Sequence, residues 1–206
     1  AVLMVDSASP RGEKVTCGNR EKRRKMYQHR PFDAYAALQY LQVQPFVLPD
    51  KIGLIGWSQG GGITLLTVVT KSIARPDPMT GPDFAVAAAF YPALCNDRVQ
   101  SKPFTDVEPH SWSTHIPLLV LQGEADNWTK PVPCRNFIEE AAARGNSVSI
   151  LFYPEAYHVF DAPSLKLIQL KRYKTIEGII PIVGTNGPAR EKALHDLPAF
   201  LDRYLK

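Results

Sequence analysis

The sequence of 206 residues has no long hydrophobic run. No stretch approaches the ~18 consecutive apolar residues that a membrane-spanning helix requires. The first residues also lack the basic segment followed by an apolar segment that marks a secretory signal peptide. We therefore expect no membrane span, no signal peptide and no membrane partner. Because the chain begins with Ala1 rather than Met, the missing signal peptide says little about a longer precursor.

The sequence also lacks a cluster of residues spaced like metal ligands. His, Cys and Asp residues are nowhere grouped at the intervals typical of a metal site, so we expect neither a metal nor any other cofactor. Apolar residues make up 45% of the chain and charged residues 21%, which is ordinary for a soluble globular protein. The length suits one sizeable core, and a single domain over residues 1–206 is expected.

The net charge of +4 arises in one segment. Residues 20–30 hold six basic side chains and one acidic side chain, a local charge of +5, which leaves −1 for the rest of the chain. A nucleic-acid-binding protein is expected to have a basic face rather than one basic segment. We therefore expect a solvated surface loop here and no nucleic-acid partner.

A nucleophile motif lies near the middle of the first half of the chain. Residues 52–55 form an apolar run typical of a buried strand, and residues 63–69 suit a helix. Between them Gly56-Trp57-Ser58-Gln59-Gly60 matches the G-x-S-x-G pattern, in the strand, turn and helix context that the pattern needs. The alternative is a glycine-rich turn with an incidental serine, because short Gly/Ser patterns also occur by chance.

The residue types around Ser58 suit nucleophilic chemistry. A serine on a sharp strand-to-helix turn takes a strained conformation that lifts its hydroxyl clear of the sheet. Small residues at Gly56 and Gly60 are expected to let neighbouring backbone pass close by. The backbone N–H of Gln59, at the start of the helix, is predicted to donate to a developing oxyanion.

Further apolar runs alternate with helical patterns. The predicted elements are strands at 1–6, 52–56, 84–90, 116–122 and 147–153, and helices from Pro31 to before Pro45, at 63–69, at 131–144 and at 188–204. The loop at 91–115 is expected to line or cover a site, and residues 165–173 remain open between a basic helix and an extended strand. Such alternation indicates a mostly parallel α/β sheet with helices on both faces.

Three polar residues each follow the end of a predicted strand: Ser58, Asp126 and His158. Ligands in such sheets bind at the carboxyl ends of the strands, and the order Ser, Asp, His is that of α/β hydrolases. Glu124 and Asp161 are rival carboxylates, and Asp126 is favoured on position. The remaining histidines are expected at the surface: His29, His110, His115 and His195.

These motifs resemble the dienelactone hydrolase family of α/β hydrolases. The matching stretches are residues 49–61, 117–126 with Trp128, 153–161 and 1–7. The resemblance implies an α/β-hydrolase fold and a serine hydrolase that cleaves a small carboxylic ester or lactone through an acyl-enzyme intermediate. It also implies that Ser58 is the nucleophile, Asp126 the orienting acid and His158 the general base.

Two features depart from that family. Its dienelactone-cleaving members carry a cysteine in the motif, whereas Ser58 suits ordinary carboxylic esters better. The α/β-hydrolase fold also has further strands before the one predicted at residues 1–6, and the loop after its third strand supplies a second oxyanion N–H. We therefore expect a fragment or processed form, or else a minimal protein whose missing strands come from a partner chain or are dispensed with.

Aromatic and cysteine residues lie near the same edge. Five aromatic residues either bound an acyl or alcohol pocket or belong to the core: Trp57, Tyr91, Trp112, Trp128 and Tyr157. Of the three cysteines, Cys95 and Cys134 follow neighbouring strands, so a disulfide between them is one expectation and reduced buried thiols are the other; Cys17 makes the count odd. A disulfide would favour an exported or periplasmic protein, and free thiols a cytoplasmic one.

Two other function classes remain open. A hydrolase fold can serve as a non-catalytic binding or scaffold protein, because fold does not dictate function. The absent oxyanion loop favours that reading, whereas the complete Ser, Asp, His order favours catalysis. An acyltransferase or a peptidase with the same residues would differ from an esterase only in the acceptor or the leaving group.

Overall fold

The computed structural model describes residues 1–13 and 19–206. At its centre lies a parallel sheet, whose strands in spatial order are β1 (Gly53–Trp57), β2 (Val86–Phe90), β3 (Leu118–Gly123) and β4 (Val148–Tyr153). The helices in chain order are α1 (Arg20–Gln42), α2 (Gln59–Val68), α3 (Asp97–Gln100), α4 (Pro131–Ala143) and α5 (Gly187–Leu205). Two short strands, β5 (Ile168–Gln169) and β6 (Ile182–Val183), form a separate antiparallel pair.

The sheet separates two hydrophobic cores. Along β2, Ala87 and Ala89 face a core shared with α1, α2 and α4, whereas Ala88 and Phe90 face a core shared with α5. Strand residues are apolar on both faces because helices cover both faces, as in other parallel sheets. The predicted α/β class is therefore confirmed, and the four strands of the sheet lie within two residues of their predicted bounds.

The register of the sheet aligns the carboxyl ends of its strands. Trp57 at the end of β1 pairs with Phe90 at the end of β2, and Gly123 at the end of β3 pairs with Tyr153 at the end of β4. The segments that follow these four strands therefore leave the sheet from one edge. This edge is the place where ligands bind in sheets of this kind.

The prediction of a buried strand at residues 1–6 is wrong. These residues form no strand, and the side chains of Val2 and Met4 are 91% and 90% exposed. A strand needs a neighbour that satisfies its backbone N–H and C=O groups, and none of the described strands pairs with this segment. Its apolar composition alone was therefore not enough to place it in the sheet.

The basic segment at residues 20–30 is helical rather than a loop, and it forms the first half of α1. Lys, Arg, Glu and Gln are good helix formers, and the side chain of Asn19 caps the helix by accepting a hydrogen bond from the Lys22 backbone N–H at 2.9 Å. Pro31 lies inside α1 instead of starting it. The side chains of Arg23 and Arg24 are exposed, as expected of a solvated surface. The absence of a nucleic-acid partner stays a prediction.

The remaining connections differ in detail from expectation. The loop at 91–115 contains the short helix α3, and residues 165–173 become part of the β5–β6 hairpin rather than a basic helix.

Cys95 and Cys134 form a disulfide that joins the segment after β2 to α4, with a Cα–Cα distance of 4.7 Å. Cys17 lies outside the described residues. Within the described ranges, no helix is both long enough and apolar enough to cross a membrane.

Candidate active site

Ser58 occupies the sharp turn between β1 and α2. Its backbone has φ 50° and ψ −112°, in the left-handed half of conformational space that non-glycine residues rarely adopt. Its N–H donates to the Phe90 carbonyl at 2.9 Å, and its carbonyl accepts from the N–H groups of Gly62 and Ala93 at 3.1 and 2.8 Å. These three backbone bonds hold the strained residue in place.

The two glycines of the motif have different roles. A Cβ atom on Gly56 would lie 2.2 Å from the Gly60 carbonyl oxygen, so the turn requires glycine at position 56. A Cβ atom on Gly60 would meet only Arg30 Nη2, at an ordinary 3.7 Å. The close approach expected at both positions is therefore found only at Gly56, because it is the Gly60 carbonyl that comes close.

His158 and Asp126 meet Ser58 at this edge of the sheet. His158 Nε2 lies 2.8 Å from Ser58 Oγ, and His158 Nδ1 lies 2.7 Å from Asp126 Oδ2. His158 is 1% exposed and Asp126 is 2% exposed. A buried carboxylate accepts hydrogen bonds and favours the tautomer with a proton on Nδ1, which leaves the Nε2 lone pair facing the serine hydroxyl.

Asp126 is fully engaged by donors. Oδ1 accepts from the backbone N–H groups of Trp128 and Thr129 at 2.8 and 2.9 Å, and Oδ2 accepts from Thr129 Oγ1 at 2.7 Å as well as from His158. A buried carboxylate is tolerated when its lone pairs are satisfied in this way. Sequence reasoning missed Thr129, although an aspartate side chain often accepts from the backbone N–H groups of the residues that follow it.

Two aromatic rings flank the imidazole of His158. The ring of Tyr91 lies 4.5 Å from it and the ring of Trp128 lies 5.1 Å from it, measured between centroids. Tyr91 is 2% exposed, whereas Trp128 is half-buried and stacks on Tyr173 of the β5–β6 hairpin at 5.8 Å. The two rings shield the hydrogen-bonded pair from water, which strengthens electrostatic interactions within it.

The rival carboxylates lie elsewhere. Glu124 is exposed at the surface. Asp161 accepts hydrogen bonds from Trp57 Nε1 at 2.7 Å and from the Tyr91 hydroxyl at 2.6 Å. Burial and the neighbouring Asp161 raise the pKa of Tyr91 above its ordinary value, so its hydroxyl stays protonated and donates. Among the candidate acids, Asp126 is the residue in contact with His158.

Comparison with known proteins assigns the chain to a family. The profile of the dienelactone hydrolase family matches residues 9–205. The chain belongs to the dienelactone hydrolase family. The resemblance inferred from the motifs is thereby confirmed.

A curated relative of this dienelactone hydrolase family member is described as a probable 2-oxo-3-(5-oxofuran-2-ylidene)propanoate lactonase from a Bradyrhizobium species. It is 26% identical over 129 residues, which cover 62% of this chain and 47% of the relative. The chain therefore spans about half the length of this curated relative.

Two solved structures illustrate the likeness of the fold. Esterase 2 of Thermogutta terrifontis, in the form phosphoramylated by tabun, is 20% identical with a TM-score of 0.60 over 86% of this chain and 65% of its own. MGS-M1, an α/β hydrolase from a Medee basin deep-sea metagenome library, is 19% identical with a TM-score of 0.55 over 85% of this chain and 64% of its own. At such identities the likeness shows the α/β-hydrolase fold alone. The chain spans less than two thirds of either protein.

The other aromatic candidates of this family member fall into two groups. Trp57 is 45% exposed beside Ser58, and Tyr157 is partly exposed beside His158. Trp112 is fully buried and packs edge-on against Phe137 of α4, so it belongs to the core rather than to a pocket.

Two contacts near the site carried no sequence signal. Arg30 of α1 donates from Nη1 to the side-chain oxygen of Gln59 at 3.1 Å, which ties α1 to the first turn of α2. Burial lowers the pKa of the Arg30 guanidinium, although arginine remains charged in proteins. Asn127, next to Asp126 in the loop after β3, binds the β5–β6 hairpin: it donates to the Ile180 carbonyl at 3.0 Å and accepts from the Ile182 N–H at 2.9 Å.

The described residues contain no group of three or more His, Cys, Asp or Glu side chains arranged to hold a metal ion.

The asymmetry between the two motif glycines is testable by alanine substitution. Gly56→Ala forces a methyl group against the Gly60 carbonyl and should lower the free energy of unfolding by about 1–3 kcal/mol. Gly60→Ala is the matched control: its methyl group has room, and alanine is favoured over glycine in a helix by about 0.5–1 kcal/mol, so stability should be kept or improved. Denaturant unfolding of both variants measures this, and a larger loss for Gly60→Ala would contradict the assigned geometry.

Proposed function

We propose that this chain is a serine hydrolase that cleaves carboxylic esters or lactones with Ser58 as nucleophile, His158 as general base and Asp126 as orienting acid. The observation that carries the proposal is the hydrogen-bonded series from Asp126 Oδ2 through His158 to Ser58 Oγ, with contacts of 2.7 and 2.8 Å. Membership of the dienelactone hydrolase family supports the same reaction class.

Acylation begins when Ser58 Oγ attacks the acyl carbonyl carbon. His158 Nε2 takes the hydroxyl proton as the Oγ–C bond forms, and Asp126 stabilises the resulting imidazolium through Nδ1–H. The tetrahedral intermediate collapses as its bond to the leaving oxygen breaks, and His158 gives the proton to that oxygen. The products of this half-reaction are the alcohol and an acyl ester on Ser58.

Deacylation repeats the same proton transfers with water. His158 Nε2 takes a proton from water as the water oxygen attacks the acyl carbon, and the proton returns to Ser58 Oγ when the acyl bond breaks. The acid is released, and the resting site is restored. With a lactone, alcohol and acid are the two ends of one molecule.

The backbone N–H of Gln59 is the proposed donor to the oxyanion. It lies in the first turn of α2, directly after Ser58, where the positive end of the helix dipole favours negative charge. A donor fixed before the reaction starts stabilises the charge that develops on the carbonyl oxygen. The side-chain contact between Gln59 and Arg30 holds this turn against α1.

The proposed substrate is a small, somewhat apolar ester or lactone. Trp57, Trp128 and Tyr157 have partly exposed side chains beside Ser58 or His158, and they are proposed to bound its binding site together with the buried ring of Tyr91. A serine nucleophile suits carboxylic esters, and the curated relative from Bradyrhizobium is described as a probable lactonase.

Substitution of the three proposed catalytic residues tests the assignment. Ser58→Ala and His158→Ala should each lower kcat for p-nitrophenyl acetate by at least about 10⁴-fold, because each removes a group that takes part in bond making. Asp126→Asn should lower kcat by about 10⁴-fold, because it favours the wrong tautomer of His158. Steady-state kinetics with circular dichroism of each variant measures these changes.

Glu124→Gln is the matched control, because Glu124 lies two residues from Asp126 but is exposed. It should leave kcat unchanged. An inactive Glu124→Gln protein beside an active Asp126→Asn protein would overturn the assignment of the acid, and a fully active Ser58→Ala protein would overturn the proposed function.

Trp128 should influence the preference for acyl length. Trp128→Ala removes the ring that lies between His158 and Tyr173, so the ratio of kcat/KM for the hexanoate over the acetate ester should rise by roughly tenfold. Phe46→Ala serves as control, because it removes an exposed ring from the connection that leads into the opposite end of β1. An unchanged ratio in Trp128→Ala would remove this residue from the proposed pocket.

A further inference from the structure

Asp161 connects two strand ends to the loop that carries His158. Its Oδ2 accepts from Trp57 Nε1 at 2.7 Å, and its Oδ1 accepts from the Tyr91 hydroxyl at 2.6 Å. Trp57 is the last residue of β1, and Tyr91 directly follows β2. A single carboxylate on the loop after β4 thus binds both residues, although it takes no part in the proposed proton transfers.

Each of these two donors is a direct neighbour of a proposed reacting residue, one in sequence and one in space. Trp57 directly precedes Ser58, and its indole stacks on Phe90 with a centroid distance of 5.3 Å and an interplanar angle of 12°. The ring of Tyr91 lies 4.5 Å from the imidazole of His158. A displacement of either donor would therefore move one partner of the contact between Ser58 Oγ and His158 Nε2.

Three residues in these segments have a strained backbone. Ser58, Tyr91 and Val159 have φ values of 50°, 33° and 64°, which are unfavourable for residues with a side chain. Strained residues keep such conformations only when surrounding contacts hold them. The bond from Tyr91 to Asp161 is one of those contacts, and a buried hydroxyl that loses its partner pays the cost of desolvation.

We propose that Asp161 is a positioning residue that keeps Ser58 Oγ and His158 Nε2 in contact by holding Trp57 and Tyr91 to the loop of His158. This inference rests on the proposed function, because the contact between Ser58 Oγ and His158 Nε2 matters only if these atoms exchange a proton in the reaction. It assigns to Asp161 a role different from that of an alternative catalytic acid.

Geometry rather than charge is the property that this role needs, and one substitution separates the two. The amide oxygen of Asp161→Asn can accept from Trp57 Nε1–H, and its amide N–H can donate to the Tyr91 hydroxyl oxygen, which then acts as acceptor. Asp161→Asn therefore removes the charge and keeps both contacts. Asp161→Ala removes the charge and both contacts.

The test is steady-state ester hydrolysis by these variants. Asp161→Ala should lower kcat by about tenfold to a hundredfold, since misplaced reacting groups are costly, with KM within about twofold of wild type. Asp161→Asn should restore kcat to within about threefold of wild type. The proposal would be overturned if the kcat of Asp161→Ala stayed within about threefold of wild type. It would also be overturned if Asp161→Asn lost as much activity as Asp161→Ala.

Single-bond variants cover the case in which Asp161→Ala does not fold. Tyr91→Phe deletes one oxygen and keeps the ring beside His158, and Trp57→Phe deletes the indole N–H and keeps an aromatic ring on Phe90. Each should lower kcat, and Tyr91→Phe, which keeps the ring beside His158, should leave KM within about twofold of wild type. If both keep the wild-type kcat, the positioning role is overturned.

An activity-independent readout separates this inference from the proposed function. The ring protons of His158, assigned by their loss in His158→Gln, should shift in the NMR spectrum of Asp161→Ala and return towards wild type in Asp161→Asn, because the adjacent Tyr91 ring moves. If the wild-type protein fails to hydrolyse the ester while these shifts occur, the proposed function fails and the positioning link stands. Unmoved resonances in Asp161→Ala overturn the link even if the wild-type protein is active.

Discussion

The strained backbone of Ser58 is the constraint on which the rest of the site depends. A residue with φ 50° at the end of a strand persists only because the Phe90 carbonyl and the N–H groups of Gly62 and Ala93 hold it. The same turn requires glycine at position 56, where a Cβ atom would lie 2.2 Å from the Gly60 carbonyl. The sheet register then decides which loops can reach the serine hydroxyl, and it brings the segments after β3 and β4 to the same edge.

The electrostatics of the site follow from this placement. Asp126 lies at the end of a covered parallel sheet, where an ionised carboxylate is costly unless donors surround it. Its four hydrogen bonds come from two backbone N–H groups, Thr129 Oγ1 and His158 Nδ1. Tyr91 and Trp128 flank the imidazole, so the charge that would form on His158 is met by a fixed carboxylate rather than by mobile water. Two loops and two aromatic rings thereby surround the proposed proton transfer.

Much of this arrangement can be predicted from sequence, and the limits have physical causes. Ser58, Asp126 and His158 each follow a strand that is a largely apolar run in the sequence. The runs are largely apolar because both faces of the sheet are covered, so polar residues do not alternate with apolar ones. The segment at 1–6 has a similar apolar composition, but a strand also needs a pairing neighbour, which local composition does not encode. Contacts made across loops, such as those of Thr129 and Asp161, depend on tertiary placement that no spacing fixes.

The most direct measurement is the intact mass of the protein after incubation with a fluorophosphonate probe, followed by peptide mapping. A fluorophosphonate reacts with a serine hydroxyl that a neighbouring base has activated, so the reaction reports whether the contacts of 2.7 and 2.8 Å around His158 operate in solution. The account predicts one adduct, located on Ser58 and missing in His158→Ala. A folded protein that takes up no probe, or that carries its adduct on another residue, would contradict it.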